Sequence, residues 1–301
     1  MKDKIIHLAG EMGFVAAGFC TPGAPLFFEA FLSWLYAGYH ARMSWMARNT
    51  DIRGDTEKLL PGCRTIICLA YPYSPKKPST SDGFTVSRYS EPMLYDYHER
   101  LKKLGKVIAQ AVSSYYPGSK ARVCVDSAPV LERSLAFSAG IGFIGKNTSL
   151  IIPGRGSYHF LMEIFTTAEI PFNEKPIVES FCSSCSLCMD ACPMGALERP
   201  YVLNASKCLS YRTIEDPSPV DRKTASGMGR CFLGCDICQE VCPCNADKEE
   251  QELLLPSSQE ILDLDEQGFK ERFGKSALKR AGLKKIKENL SALLPLFPDR
   301  I

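Results

Sequence analysis

The sequence predicts an α/β domain followed by a cysteine-rich metal-binding module. Short β-branched apolar runs alternate with amphipathic helical patterns as far as Ile170, which is how sheet-and-helix domains read. Of the 14 cysteines, Cys20, Cys63, Cys68 and Cys124 are scattered, and all the others lie between Cys182 and Cys244. Hydrophobic residues at 45% and charged residues at 23% sit at globular averages, which excludes a collagen, a coiled-coil rod and a wholly disordered chain. A length of 301 residues is more than one compact core usually holds. The organisation expected is an α/β domain over 1–175, a cysteine module over 176–250 and a basic helical segment over 251–301.

Taken in order, the opening MKDKIIHLAGEMGF lacks the apolar core of an export signal. No apolar stretch approaches the roughly 18 residues that cross a bilayer. The chain is therefore expected to be cytoplasmic and without a membrane partner, a setting in which cysteines are metal ligands more often than disulfides. With 36 basic and 34 acidic residues the net charge is +2, so a nucleic acid would have to be held by a local patch. RTIICLAYPY (Arg64 to Tyr73), ARVCVDSA (Ala121 to Ala128) and TSLIIPG (Thr148 to Gly154) read as strands. Between the first two, the stretch from Asp96 to Tyr116 places Tyr97, Leu101, Leu104, Ile108 and Val112 on one helical stripe, with a solvated lysine-rich outer face. PFNEKPIVES after Ile170 marks a boundary, DKEEQE after Asn245 reads as a linker, and the remainder reads as helical to near Pro295.

Cys182, Cys185, Cys188 and Cys192 followed by Pro193 spell C-x2-C-x2-C-x3-C-P, the run by which bacterial-type ferredoxins hold cubane clusters. Three closely spaced thiolates wrap one cluster, while the fourth is carried off at the proline and ligates the other. A second run, Cys235, Cys238 and Cys242, also ends in C-P. Exchange of the fourth ligands gives one [4Fe-4S] cluster on Cys182, Cys185, Cys188 and Cys242. The other takes Cys192, Cys235, Cys238 and one further thiolate. That thiolate is Cys208, far upstream, or Cys231, which has three residues between it and Cys235 where two are expected; spacing alone leaves both open. Zinc on paired C-x2-C knuckles is the competing reading, disfavoured because zinc sites want closed sets of four. Cys244 reads as a spare thiol. Two adjacent clusters make a one-electron wire, and the wire needs an acceptor in the α/β half.

Gly140, Gly142 and Gly145 form G-x-G-x-x-G, but a helical pattern precedes them and a strand follows, the reverse of the dinucleotide context. A turn with close backbone approach is the better reading. The segment at His98 has two residues of a corrinoid D-x-H-x-x-G signature without its glycine, so His98 reads as a helix residue with a local hydrogen bond. His7, His40 and His159 are equally isolated, and no histidine ligand to a corrinoid is expected. Asp126 ends a strand before a helix, where an acid is either an N-cap or a proton donor facing a crevice.

The blocks VDSAPVLERSLAFSAGIGFIGKNTSLI, GSYHFLMEIFTT, CSSCSLCMDACPMGAL, KCLSYRTIE and GCDICQEVCP stand in an order and spacing that resemble the epoxyqueuosine reductase family over nearly the first 245 residues. The resemblance implies an α+β, nitroreductase-like cobalamin-binding domain joined to a ferredoxin-like two-cluster domain, as in reductive dehalogenases. It implies two [4Fe-4S] clusters and cobalamin as cofactors. The implied reaction is deoxygenation of epoxyqueuosine to queuosine at the wobble position of tRNA. Asp126 matches the family's proton donor, and burial against the corrin would keep it protonated. KCLSYRTIE resembles the isolated cluster ligand and favours Cys208. Arg53, Asn147, Leu150 and Leu161 match corrinoid-contact positions, with Ser210 and Asp236 lining the cofactor from the ferredoxin side.

The partners implied are the anticodon region of tRNA and an external low-potential electron donor, with the chain a monomer. Many family members continue into a helical-repeat tail that helps hold tRNA. This sequence has KERFGKSALKRAGLKKIKENL near its end, in which Lys270, Arg272, Lys275, Lys279, Arg280, Lys284, Lys285 and Lys287 face one acid, Glu271, before Glu288. A solvated basic helix and a phosphate-contacting patch are both consistent with it. Chemistry in a deep pocket also requires the wobble nucleotide to leave its stack. Two other classes remain: a corrinoid-dependent reductase of a small molecule such as an organohalide, and a pure electron-transfer protein holding iron and sulfide without cobalt.

Overall fold

The structure, a computed structural model, describes residues 1–245 and 251–298. The chain forms two compact units whose segments interleave. The first comprises Met1–Gly38, Ser44–Pro72 and His98–Ser183, and the second Tyr39–Met43, Tyr73–Tyr97 and the chain from Ser184 on. The chain thus leaves the first unit twice before the expected boundary at 175–176.

The first unit is built on a four-stranded sheet in the order Ala16–Cys20, Thr65–Pro72, His159–Thr166, Ala121–Cys124. Every pairing is antiparallel. The α+β form of the expected fold is the one observed, and no crossover makes a parallel βαβ unit. One ladder row runs Gly18, Cys68, Glu163, Cys124. On that face lies helix Glu132–Ser138, with Leu135, Ala136 and Ala139 in the same core cluster as Cys20, Cys68 and Cys124. A Cβ on Gly18 would stand 2.4 Å from the Ala139 carbonyl oxygen, so only glycine lets strand and helix approach this closely.

The opposite face carries helix Tyr97–Tyr115. Leu101, Ile108 and Val112 are buried as expected, but Leu104 is only half-buried. Gly105 completes the stripe in its place, because a Cβ there would stand 2.5 Å from Val123 Cγ1 and 2.8 Å from Met162 Sδ. The glycine-rich run is a hairpin, Phe143–Ile144 against Leu150–Ile151. A Cβ on Gly142 would meet the Ile151 carbonyl oxygen at 2.3 Å. The close-approach reading of these glycines holds, and no dinucleotide turn is formed.

The second unit has a four-stranded sheet in the order Cys231–Leu233, Thr85–Val86, Lys77–Ser79, Gln251–Leu253. The expected linker DKEEQE is therefore corrected in part: Gln251 and Glu252 belong to a strand parallel to Lys77–Ser79, while 247–250 lie outside the described residues. Nor does the C-terminal segment stand alone. Phe269, Phe273, Ile286, Leu290 and Leu293 share one core with Phe84, Val86, Leu209 and Phe232, and Asn289 Nδ2 donates to the carbonyls of Thr213 and Phe232 at 2.9 and 2.8 Å. The basic stretch is divided among helix Glu266–Phe273, a 3-10 turn Ala277–Arg280 and helix Gly282–Leu293. Among the described residues no helix is long and apolar enough to cross a membrane.

Candidate iron-sulfur and proton-donor sites

The ferredoxin runs fold into short turns of helix, Leu187–Asp190 and Ile237–Glu240, each carrying one cysteine of its run, Cys188 and Cys238. Cys192 Sγ accepts a hydrogen bond from the Ala196 amide at 3.2 Å. Cys208 directly precedes helix Leu209–Ile214. None of the 14 cysteines is in a disulfide. Burial pushes the Cys208 and Cys235 thiols up and the Cys238 thiol up to about 12, and nearby sulfurs act in the same direction. At Cys238 these are Cys208, Cys192 and Cys188; at Cys208, Cys192; at Cys235, Cys231, Cys208 and Cys238. Thiols so placed ionise when a metal takes the charge. Among the described residues no three His, Cys, Asp or Glu side chains are gathered tightly enough to hold a single metal ion. A cubane does not ask for that, since each iron takes one thiolate.

Cys231 is different. It lies buried on the Cys231–Leu233 strand, its Sγ donating to the carbonyls of Leu233 at 3.4 Å and Gly234 at 3.6 Å. Burial raises its pKa to about 11. Asp236, between Cys235 and Cys238, is also taken up locally. Its Oδ2 accepts from the Arg88 amide at 2.9 Å and from Arg88 Nη1 at 3.3 Å, while Arg88, 1% exposed, also pairs with Glu240. This buried pair ties the ferredoxin run to the chain at 73–97, and loss of one partner from such a pair typically costs ~3–5 kcal/mol. Ser210 is half-buried in helix Leu209–Ile214.

In the first unit, Arg53 is 8% exposed, donates to the Val130 carbonyl at 3.3 Å and lies 5.8 Å from the Phe31 ring. Its Nε is buried without a hydrogen-bond partner, a donor left for a polar ligand. Leu150, Leu161, Val130 and Ile52 share one apolar cluster. Asn147 is buried, and its Oδ1 accepts from the Ser149 amide at 3.1 Å. Leu150 and Leu161 thus belong to the cluster that includes Val130, whose carbonyl takes the Arg53 hydrogen bond; an orphaned donor next to apolar side chains suits a large, mostly apolar cofactor with polar side arms.

Asp126 follows the Ala121–Cys124 strand with φ +52°, a left-handed conformation that costs a non-glycine residue strain. It is not a helix cap. The N-cap of Glu132–Ser138 is Leu131, with no side-chain cap. The Asp126 side chain is 60% exposed, so the chain itself does not desolvate it. Its Oδ2 lies 3.0 Å from His98 Nε2, and its amide donates to Glu132 Oε1. The hydrogen bond expected at His98 is therefore not local but joins residues from two elements. Glu132 went unassigned in the sequence, although it stands six residues after Asp126.

Burial, then the neighbouring Asp126 carboxylate, raises the Glu132 pKa from 4.5 to about 8. Between those values the folded chain keeps a proton that the unfolded chain has lost, so this group lowers stability as pH rises through that window. Glu132→Gln keeps the acceptor for the Asp126 amide and removes the titration. Its denaturant midpoint should fall less than that of the wild type between about pH 5 and about pH 8; equal slopes would show that Glu132 does not hold the proton.

Residues 53–127 match the family described as epoxyqueuosine reductase QueG, DUF1730. Residues 181–245 match a 4Fe-4S double cluster binding domain, which replaces the zinc alternative. An epoxyqueuosine reductase of Leadbetterella byssophila is 33% identical over 97% of this chain and 98% of its own length. One of Aliivibrio fischeri is 35% identical over 99% of this chain and 83% of its own. Among solved structures, an epoxyqueuosine reductase with an epoxyqueuosine-modified tRNA-Tyr stem loop is similar with TM-score 0.87 and 28% identity, covering 99% of this chain and 82% of that one. A Bacillus subtilis enzyme, with its catalytic aspartate loop swung out of the active site, gives TM-score 0.85 at 28% identity and the same coverage. The family is cobalamin-dependent. From the matched lengths and identities, the chain belongs to the epoxyqueuosine reductase family.

Proposed function

We propose that this chain reduces epoxyqueuosine to queuosine at the wobble position of tRNA, the last step of queuosine formation. The observation that carries the reading is the end-to-end correspondence with epoxyqueuosine reductases, within which fall both the Asp126 turn and the double-cluster run. We assign Cys182, Cys185, Cys188 and Cys242 to one cluster, and Cys192, Cys208, Cys235 and Cys238 to the other. The Cys192 sulfur acting on Cys208, and the Cys208 sulfur acting on Cys235 and Cys238, support the second set, as does the engagement of Cys231 in its strand. Arg53, Asn147, Leu150 and Leu161 would hold cobalamin. Ser210 and Asp236 would line it from the ferredoxin side.

The clusters and cobalamin, when bound, supply low-potential electrons to the epoxide carbon. The chain's own residues handle the protons. Removing the epoxide oxygen as water consumes two electrons and two protons and leaves an alkene. Asp126 gives a proton to the oxygen as the C–O bond breaks. His98, at hydrogen-bond distance from the same carboxylate, returns one to Asp126, so the pair covers both protons. The Glu132 contact with the Asp126 amide holds the strained turn in place. His98→Gln keeps a donor to Asp126 but cannot carry the proton. It should slow multiple turnover about ten- to a hundred-fold at neutral pH and flatten the pH profile of turnover; an unchanged profile would remove His98 from the proton path.

We also place the chain in the cytoplasm as a monomer drawing on an external low-potential donor. The test is anaerobic incubation of the reconstituted chain with cobalamin, a strong reductant and epoxyqueuosine-containing tRNA, followed by nucleoside mass analysis. Loss of one oxygen from the modified nucleoside is expected. An unchanged nucleoside, in protein with complete iron and cobalt contents, would reject the reading.

A further inference from the structure

Three consecutive large apolar side chains stand in solvent just before helix Tyr97–Tyr115: Met93 at 64%, Leu94 at 47% and Tyr95 at 62% exposed. The turn that presents them is fixed from both sides. Glu91 takes φ +34°, its carbonyl accepts from the Leu94 amide at 2.9 Å, and Pro92 is buried. At the other end the Asp96 amide donates to the Lys275 carbonyl at 2.7 Å, and the buried Asp96 carboxylate pairs with Lys279 Nζ at 3.0 Å. A chain tied in this way holds its apolar tip out rather than letting it collapse onto the surface.

The same ties bring cations to the tip. Lys275 Nζ lies 5.5 Å from the Tyr95 ring centroid, and Lys270, Arg272 and Lys284 are exposed on the same C-terminal segment. Arg280 and Lys285 are taken up internally, by Glu215 and by the Ser218 carbonyl. Glu271 is the one exposed acid among these cations in the stretch from Lys270 to Lys287. An aromatic ring beside fixed positive charge is the arrangement that takes a stacked base with its phosphate.

We propose that the Met93–Leu94–Tyr95 tip is an RNA-stacking platform, with Tyr95 taking an unpaired base of the anticodon loop and Lys275 its phosphate. The inference rests on the proposed tRNA reduction and adds to it the chain's own contact with the loop. Charge complementarity selects RNA as the occupant. Along the chain only two residues separate Tyr95 from His98, which makes the nucleotide next to the modified one the first to probe.

The experiment uses the cofactor-loaded chain and an anticodon stem-loop RNA carrying epoxyqueuosine with 2-aminopurine at the next position. Anisotropy gives affinity, 2-aminopurine emission gives stacking, and nucleoside analysis of the same samples gives reduction. Tyr95→Ala should weaken binding about 5- to 150-fold and restore 2-aminopurine emission, whereas Tyr95→Phe should keep both. Lys275→Gln should lower the salt dependence of binding by about one phosphate contact. If the wild type binds and reduces the RNA but Tyr95→Ala matches it in affinity and emission, the platform is overturned and the tRNA reading stands. If the wild type neither binds nor reduces any stem loop, both fall. If Tyr95→Ala instead converts an RNA-free dimer to a monomer in sedimentation, the tip is a self-association surface and the platform is overturned.

Discussion

Asp126→Asn should lower the rate of epoxyqueuosine deoxygenation about a hundred- to ten-thousand-fold while leaving RNA binding and cofactor content unchanged. That range is what a positioned general acid contributes. Asparagine has nearly the same shape, tolerates the left-handed backbone found at φ +52°, and still offers an oxygen to His98. It lacks only the transferable proton. The readout is single-turnover formation of queuosine under excess reductant, because multiple turnover mixes this step with cofactor re-reduction. Full turnover by Asp126→Asn would remove Asp126 from the chemistry and leave the Asp126–His98 pair as a structural contact.

The second large effect concerns the ligand that spacing leaves undecided. Cys208→Ser should reduce iron and acid-labile sulfide to about half of the wild-type content, since a cubane missing one thiolate assembles poorly. Cys231→Ser should retain full content, because the Cys231 thiol donates to the carbonyls of Leu233 and Gly234 and a hydroxyl can do the same. Low-temperature electron paramagnetic resonance of the reduced proteins separates the cases: two interacting clusters in Cys231→Ser and one isolated signal in Cys208→Ser. The opposite pattern would transfer the ligand to Cys231 and break the proposed second set.

Much of this arrangement is legible in the sequence, and what is not has a common cause. The Thr65–Pro72 strand, helix Tyr97–Tyr115 and the ferredoxin runs are local patterns: β-branched runs, a 3.6-residue period, cysteines counted along the chain. The G-x-G-x-x-G run folds as a hairpin, and the flanks that set this context are themselves local. What the pattern does not disclose is pairing across distance. The interleaving of 39–43 and 73–97 into the second unit, the antiparallel strand order and the docking of Gln251–Leu253 beside Lys77–Ser79 all depend on tertiary contacts. His98 shows the same limit at the site. Its helical position is readable, but its partner Asp126 is far along the chain. Asp236 carries a residue type suited to a cofactor contact, yet its carboxylate is engaged by Arg88, a buried arginine that no local period distinguishes from a surface one.

Electron counting decides whether the epoxide oxygen leaves by a two-electron, two-proton reduction. The loaded chain is given epoxyqueuosine stem-loop RNA and a limiting, titrated reductant under anaerobic conditions, and the nucleosides are weighed. One queuosine, lighter by one oxygen, is expected for every two electrons consumed. A nucleoside heavier by one water, formed without electron consumption, would mean that Asp126 opens the ring by hydrolysis and that no reduction takes place.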